Sequence, residues 1–274
     1  MSKSTTPHAV FITGGMSGLG RALAEVYLRR GADVAIFDLA TKADVLQELE
    51  HCKLRSSQKL AVFEASVTDF DGLSDVVQQA VTDLGSPDLA INCAGMQRAA
   101  PFEQLSREAF EMVVQVNLFG SRNFAAAVLP QMRRGARLAL VASMAGFTAN
   151  YSYATYCASK FAVIGLGRVL RLEMKPRGIE VSLVCPPEVD TPMVVEEAKT
   201  MHPVSRKLKD LAGSLSLDEA IAGIIAGLDA GRGVIIPGFS AKLTYFASRY
   251  LPDWMMNAFV DRVVRSTLKQ METN

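Results

Sequence analysis

Arg137-Leu-Ala-Leu-Val-Ala-Ser143 reads as a buried strand, an apolar run of strand length that ends on a hydroxyl. A loop of small residues follows, Met144-Ala-Gly-Phe-Thr-Ala-Asn150. Tyr156-Cys-Ala-Ser-Lys160 then begins a long helical pattern with Phe161, Ile164 and Leu172 available for burial. Tyr156 and Lys160 are four residues apart, so on a helix they stand on one face, one turn from each other. A phenol titrates near ~10 in water, too high to exchange protons readily at neutral pH, and a neighbouring ammonium is expected to bring that value down. Ser143, at the strand end, is placed to hydrogen-bond a carbonyl oxygen held in front of the phenol. The arrangement suits protonation of a ketone as hydride arrives, or the reverse. The same pair also fits an ordinary helix face with a solvated Lys and a half-buried Tyr, so the rest of the chain has to decide.

A chain of 274 residues is long enough for one large α/β domain, expected here over 1–274 with a core at about 8–238. Hydrophobic residues at 49% and charged residues at 21% are a globular balance, and a net charge of +1 offers no field for nucleic acid. Cys52, Cys93, Cys157 and Cys185 are scattered, without the paired spacing of a zinc or thiol redox centre, so no metal is expected and the setting reads as reducing and cytoplasmic. No apolar run is long enough to span a bilayer, and the first residues carry no apolar signal core.

In chain order, His8-Ala-Val-Phe-Ile-Thr13 is a strand, and Gly14-Gly-Met-Ser-Gly-Leu-Gly20 turns tightly into a helix over Arg21 to Arg30. Glycines there let backbone approach a pyrophosphate, while the helix N-terminus supplies donors and partial positive charge. The next strand, Asp33-Val-Ala-Ile-Phe37, ends at Asp38, about 20 residues beyond the glycines, where a carboxylate meets a ribose. Asp38 would bond ribose hydroxyls and repel a 2′-phosphate; with no basic residue immediately after it, and only Ser17 in the loop, NAD(H) is expected over NADP(H). Further strands are expected at 59–63, 88–91, 179–185 and 233–236, and helices at 69–84, from Arg107 through Phe119 towards Met132, and at 217–228. Asn117 lies on a mostly apolar helix and must find partners, as an internal tie or as the holder of a water chain. Strands alternating with helices predict a Rossmann-type, doubly wound, mostly parallel seven-stranded sheet with helices on both faces and ligands at the strand carboxyl ends. Pro186-Pro-Glu-Val-Asp-Thr-Pro192 reads as a rigid turn over the cofactor, and the charged stretch to 215 as an irregular, mobile lid.

With these motifs in order, the chain resembles the short-chain dehydrogenase/reductase family over residues 8 to 238. Thr13-Gly-Gly-Met-Ser-Gly-Leu-Gly20 fits the family's Thr-Gly-x-x-x-Gly-x-Gly loop, and Asn92-Cys-Ala-Gly95 fits Asn-Asn-Ala-Gly apart from Cys93. Ser143 and Tyr156 have the family's spacing of thirteen residues. The resemblance implies a nicotinamide-dependent oxidoreductase with Tyr156 as general acid/base, Lys160 lowering its pKa and binding the nicotinamide ribose, Ser143 positioning the carbonyl and Asn117 supporting a proton relay. It implies cofactor contacts from Gly14, Ser17, Gly18, Leu19, Gly20, Asp38, Ser66, Val67, Asn92, Ala94, Gly95, Tyr156, Lys160, Pro186, Val189 and Thr191. Two departures stand out. Ser66-Val67 replaces the usual Asp-Val, which removes a carboxylate from the adenine side, and Pro186-Pro187 replaces Pro-Gly. The Pro-Pro-x-x-Asp-Thr-Pro form resembles the 3-ketosphinganine reductase branch, which handles long-chain lipids and prefers NADPH, against the reading of Asp38.

The substrate expected is a hydrophobic ketone or secondary alcohol; the alternative is a cofactor-binding regulator that has lost turnover. By resemblance, the helices after Arg107 and Tyr153 pair across a two-fold axis into a homodimer or homotetramer, with Phe119, Phe124, Val163 and Leu166 as spare apolar groups. A helical extension at 239–271 carries Met256, Phe259, Val260 and Val263 on one stripe. Three roles suit it: packing on the core or a partner, walling an apolar pocket, and peripheral contact with a membrane.

Overall fold

The computed structural model describes residues 6–191, 194 and 201–272. Seven parallel strands form one sheet: β1 (Ala9–Thr13), β2 (Asp33–Asp38), β3 (Leu60–Glu64), β4 (Leu89–Asn92), β5 (Arg137–Val141), β6 (Glu180–Val184) and, at the far edge, Val234–Ile235, which is β9 in chain order. Their spatial order is β3-β2-β1-β4-β5-β6-β9, so the chain winds outward from β1 in one direction and then, from β4, in the other. That reversal opens a crevice between the carboxyl ends of β1 and β4, where open α/β sheets bind ligands.

The strands read as continuous apolar runs because both faces are covered. On one face Phe11, Phe37, Leu138 and Leu140 pack under α3 (Phe70–Leu84), α5 (Gly120–Val128) and α6 (Ala154–Glu173). On the other, Val10, Ile12 and Ile36 pack under α1 (Gly18–Arg29), α2 (Ala43–His51) and α8 (Leu217–Asp229). Helix starts follow side-chain caps. Asp69 accepts from the Gly72 N–H ahead of α3, and Ser216 and Glu219 form a reciprocal capping box ahead of α8. α4 (Arg107–Val114) runs into α5 through a wider π-turn at Gln115–Phe119, which bulges the helix at Asn117.

Four expectations need correcting. The charged stretch is not irregular throughout. Pro203–Ala212 is a helix, α7, started by Pro203 and by the His202 ring accepting from the Val204 N–H, and docked through buried Val204 and Ser205. Residues 192–193 and 195–200 of the expected lid lie outside the described residues. The Pro186–Pro192 turn contains a strand, β7 (Glu188–Val189), paired in parallel with β8 (Ser214–Leu215); two residues per strand are too few for any periodicity. Phe124 and Val163 are fully buried against the sheet, whereas Phe119 is exposed as expected, and Met112, Phe161, Val169 and Leu172 join it on α4–α6. In the tail, α9 (Phe239–Tyr250) and α10 (Asp253–Glu272) are helical as expected, but the inward stripe of α10 is Met256, Val260, Val263, Val264 and Thr267, packed towards α7. Phe259 points to solvent at 54% exposure. Among the described residues no helix is long and apolar enough to cross a membrane.

Candidate active site

A single cavity of about 660 Å³ runs along the carboxyl ends of the central strands. At one end stands the glycine loop. Gly14 (φ +65°) and Gly18 (φ +51°) hold backbone that favours glycine, and a Cβ on Gly20 would overlap the Gly14 carbonyl oxygen, so α1 can start this close to β1 only without a side chain. Gly14, Ser17, Gly18, Leu19 and Gly20 all line the cavity beside the N-terminus of α1. Asp38, at the end of β2, is shaped into the same loop: its Oδ2 accepts from the Met16 N–H at 2.8 Å and its Oδ1 from the Leu39 N–H at 2.8 Å. Ser66 and Val67 line the next stretch, with Ser66 Oγ 2.7 Å from Thr68 Oγ1. This cradle fits a dinucleotide: glycine backbone and helix N–H groups for a pyrophosphate, a carboxylate for a ribose.

Ala94 and Gly95 continue the wall, but Asn92 does not. Its side chain is buried behind β4, accepting from Thr13 Oγ1 at 2.8 Å and donating to Ser121 Oγ at 3.0 Å, and so ties β1, β4 and α5 together. Asn117 is also behind the wall. It accepts from the Met96 N–H (2.8 Å) and donates to the Met96 carbonyl (2.9 Å) and to Ser159 Oγ (2.9 Å), which fixes the loop after Gly95 against α6. These bonds make Asn117 an internal tie between the loop after Gly95 and α6.

Ser143, Tyr156 and Lys160 meet on the cavity wall at the end of β5. Ser143 opens a short turn at Met144–Gly146, and Gly146 lets that turn press against the Lys160 backbone of α6. Burial holds the Tyr156 phenol above its ordinary pKa, against the opposing effect of the Ser143 hydroxyl, which favours the ionised form. The lowering expected beside Lys160 is outweighed by burial of the phenol. Lys160 Nζ lies 5.6 Å from the Tyr156 ring centroid, donates to the Val141 carbonyl at 2.9 Å, and is itself pushed down to about 8 by burial. The Lys209 ammonium of α7 also pulls the phenol's pKa down, behind burial and the Ser143 hydroxyl in size. No local pattern signalled Lys209: it lies 53 residues beyond Tyr156 in a charged helix. It is held by Glu188 of β7 at 2.6 Å, and Arg206 holds the same carboxylate at 2.7 Å. Ser205 anchors α7 to the loop before α6 by donating to the Tyr151 carbonyl at 2.7 Å. Pro186, Val189 and Thr191 complete the wall on this side.

Lys160 gives a stability prediction whose sign follows from its depressed value. Between about 8 and the ordinary 10.5 the unfolded chain binds more protons than the folded one, so stability rises with pH across that window. Below it, the cost of a buried ammonium is fully present. Lys160→Met is expected to raise the Tm of the cofactor-free protein at pH 7, with the gain shrinking towards pH 10. Thermal melts at both values check it, and a gain that did not shrink would place the effect in packing rather than charge.

A family model described as short chain dehydrogenase matches residues 8–202. The 3-dehydrosphinganine reductase of Danio rerio is 33% identical over 235 residues, covering 84% of this chain and 70% of that protein. The 3-ketodihydrosphingosine reductase of Mus musculus is 32% identical over 220 residues, covering 78% and 65%. The chain thus spans about two thirds of the length of these curated relatives. A crystal structure of a short chain dehydrogenase from Mycobacterium paratuberculosis bound to NAD superposes with a TM-score of 0.77 at 26% identity, over 88% of this chain and 100% of that one.

Proposed function

We propose, since this chain belongs to the short-chain dehydrogenase family and is a nicotinamide-dependent oxidoreductase, that it reduces the ketone of a long-chain lipid of the 3-dehydrosphinganine type with NADH. The observation that carries this reading is the meeting of Ser143, Tyr156 and Lys160 on the wall of the same cavity as the glycine loop and Asp38. The lipid is supported by the names of the similar reductases and by the apolar lining contributed by Met96, Met112, Val116 and Ala241, the last from α9.

Gly14, Gly18 and Gly20 with the start of α1 would take the pyrophosphate, and Asp38 the adenine-side ribose; a carboxylate already accepting two backbone N–H bonds is a poor neighbour for a 2′-phosphate. Lys160 would hold the nicotinamide ribose. When bound, the cofactor donates hydride to the carbonyl carbon or takes it back from the alcohol. Ser143 donates to the substrate oxygen and fixes it against the phenol. Tyr156 Oη gives its proton to that oxygen, leaving a phenolate that Lys209 stabilises, and regains it from solvent. Asn117 keeps Met96 and Ser159 in place around this path. Because burial keeps the phenol protonated, reduction is served at neutral pH and oxidation should gain as pH rises.

We further assign pairing of two copies to the exposed groups of α4–α6, Phe119 and Phe161 among them, and a membrane-facing role to Phe239, Phe246, Tyr250 and Trp254 on the tail. The test of the function is turnover of NADH with straight-chain ketones of increasing length. Each buried CH₂ adds up to ~0.8 kcal/mol, so kcat/KM is expected to climb by up to roughly fourfold per carbon until the cavity is full. NADH should give the higher kcat/KM than NADPH. A flat length profile would remove the lipid substrate, and absence of turnover with every ketone would remove the reductase.

A further inference from the structure

A second cavity, of about 240 Å³, lies outside the catalytic one as a groove between α6 and α9. Gly146 and Phe147, at the end of the turn opened by Ser143, line it together with Phe161 and Ile164 of α6. Its charged groups are Arg168 from α6 and Arg249 from α9, with Ser248 next to Arg249. Among the described residues no acidic side chain lines the groove, and neither arginine forms an ion pair or a side-chain hydrogen bond. Two guanidiniums from different helices therefore share one groove without an anion.

An unbroken aromatic run joins this groove to the exposed tail. Arg168 Cζ lies 6.0 Å from the Phe147 ring centroid, and Phe147 meets Tyr245 edge-on at 4.8 Å. Tyr245 meets Phe246 at 5.9 Å, and Phe246 stacks on Tyr250 at 5.9 Å. The run begins inside the groove and reaches solvent at Tyr250, which is 71% exposed. Ala241 and Thr244 of the same α9 line the catalytic cavity, so this helix touches both cavities. Cations beside large exposed rings are the pattern of a helix lying in a membrane interface, where rings enter the headgroup boundary and cations meet phosphate.

Resting on the membrane-facing assignment of this tail, we propose that the groove seats the phosphate of an anionic phospholipid between Arg168 and Arg249. The enzyme is thereby held on a negatively charged bilayer with α9, a wall of the catalytic cavity, turned to the lipid. Charge decides the occupant. A second copy closing over the groove by two-fold symmetry would bring the same arginines into the contact and bury them with no carboxylate from the groove. A soluble phosphate would take the guanidiniums but leave the exposed rings of α9 unpartnered. A zwitterionic bilayer would take the rings, but its own ammonium groups offset its phosphates. An anionic bilayer answers both features.

Cosedimentation of the cofactor-loaded enzyme with vesicles of phosphatidylcholine, with and without phosphatidylglycerol, tests this without turnover. Partitioning is expected to be at least ~tenfold stronger onto the vesicles that contain phosphatidylglycerol. In R168Q/R249Q it should fall to the phosphatidylcholine level, while Tm and turnover of a short, water-soluble ketone stay near wild type. High salt should bring the wild type down to the same level, because exposed charges are screened. Equal binding to both vesicles, unchanged in R168Q/R249Q, would remove the groove and leave the membrane-facing tail. Binding to neither would remove the membrane-facing tail and the groove with it. Inorganic phosphate that bound the wild type but not R168Q/R249Q, with vesicles ignored, would place a free anion in the groove and overturn the lipid. A double variant that changed its oligomeric state by light scattering and kept its vesicle binding would give the groove to a second copy.

Discussion

Tyr156→Phe is expected to lower kcat by at least ~100-fold while NADH binding persists. The variant removes one oxygen and the proton on it. The glycine loop, Asp38 and Lys160, which line the same cavity and to which the cofactor is assigned, are untouched. Ser143 has a hydroxyl at the same place, but an alkanol gives up its proton far less readily than a phenol and cannot replace it. Single-turnover kinetics with NADH and a ketone, alongside NADH affinity from fluorescence, distinguish the two effects. Near-normal turnover in Tyr156→Phe would sink the mechanism, and equal loss of affinity and rate would place Tyr156 in binding rather than proton transfer.

The second large effect is expected at Gly20. A Cβ there would overlap the Gly14 carbonyl oxygen and come within 2.8 Å of the Gly14 carbonyl carbon. Both atoms are backbone, and Gly14 is itself hemmed in, with its own Cβ position 3.0 Å from the Ala94 backbone. Nothing there can rotate aside, so Gly20→Ala must push α1 away from the β1 turn and pull its N–H groups off the phosphate position. NADH affinity is expected to fall by at least ~100-fold, with a stability loss of about 1–3 kcal/mol from overpacking. Gly165→Ala is the matched control. It lies inside α6, a Cβ there meets nothing within 4 Å, and replacing a helical glycine should stabilise by about 0.5–1 kcal/mol. NADH titration and thermal melts of the two variants check both signs, and Gly20→Ala binding NADH normally would show that the cradle is not where the cofactor sits.

Local pattern carried the architecture a long way. Seven apolar runs became the seven strands of the sheet because a strand covered on both faces must be apolar throughout, a constraint written residue by residue. The glycine loop and the Tyr156–Lys160 pair were legible for a similar reason, since each depends on spacing within one turn or one helix. By the same logic Asn117 announced itself as a polar residue in an apolar helix, and its partners, Met96 and Ser159, had to exist somewhere.

What the sequence determined by itself was most of what has a local cause: the seven strands of the main sheet and the helices between them, the tight turn after β1, a phenol and an ammonium on one helical face; α7, started by Pro203 and the His202 ring, was hidden by its charged composition. What only the tertiary structure decided was which distant groups share a neighbourhood. It buried Phe124 and Val163 against the sheet rather than leaving them on a free surface, turned Phe259 outward, and brought Lys209 and Glu188, from α7 and β7, to the Tyr156 phenol. It also reversed the balance at Tyr156, where burial outweighs the nearby charge. Desolvation and charge pairing act through space between segments tens of residues apart, so they become defined only once the chain has closed around them.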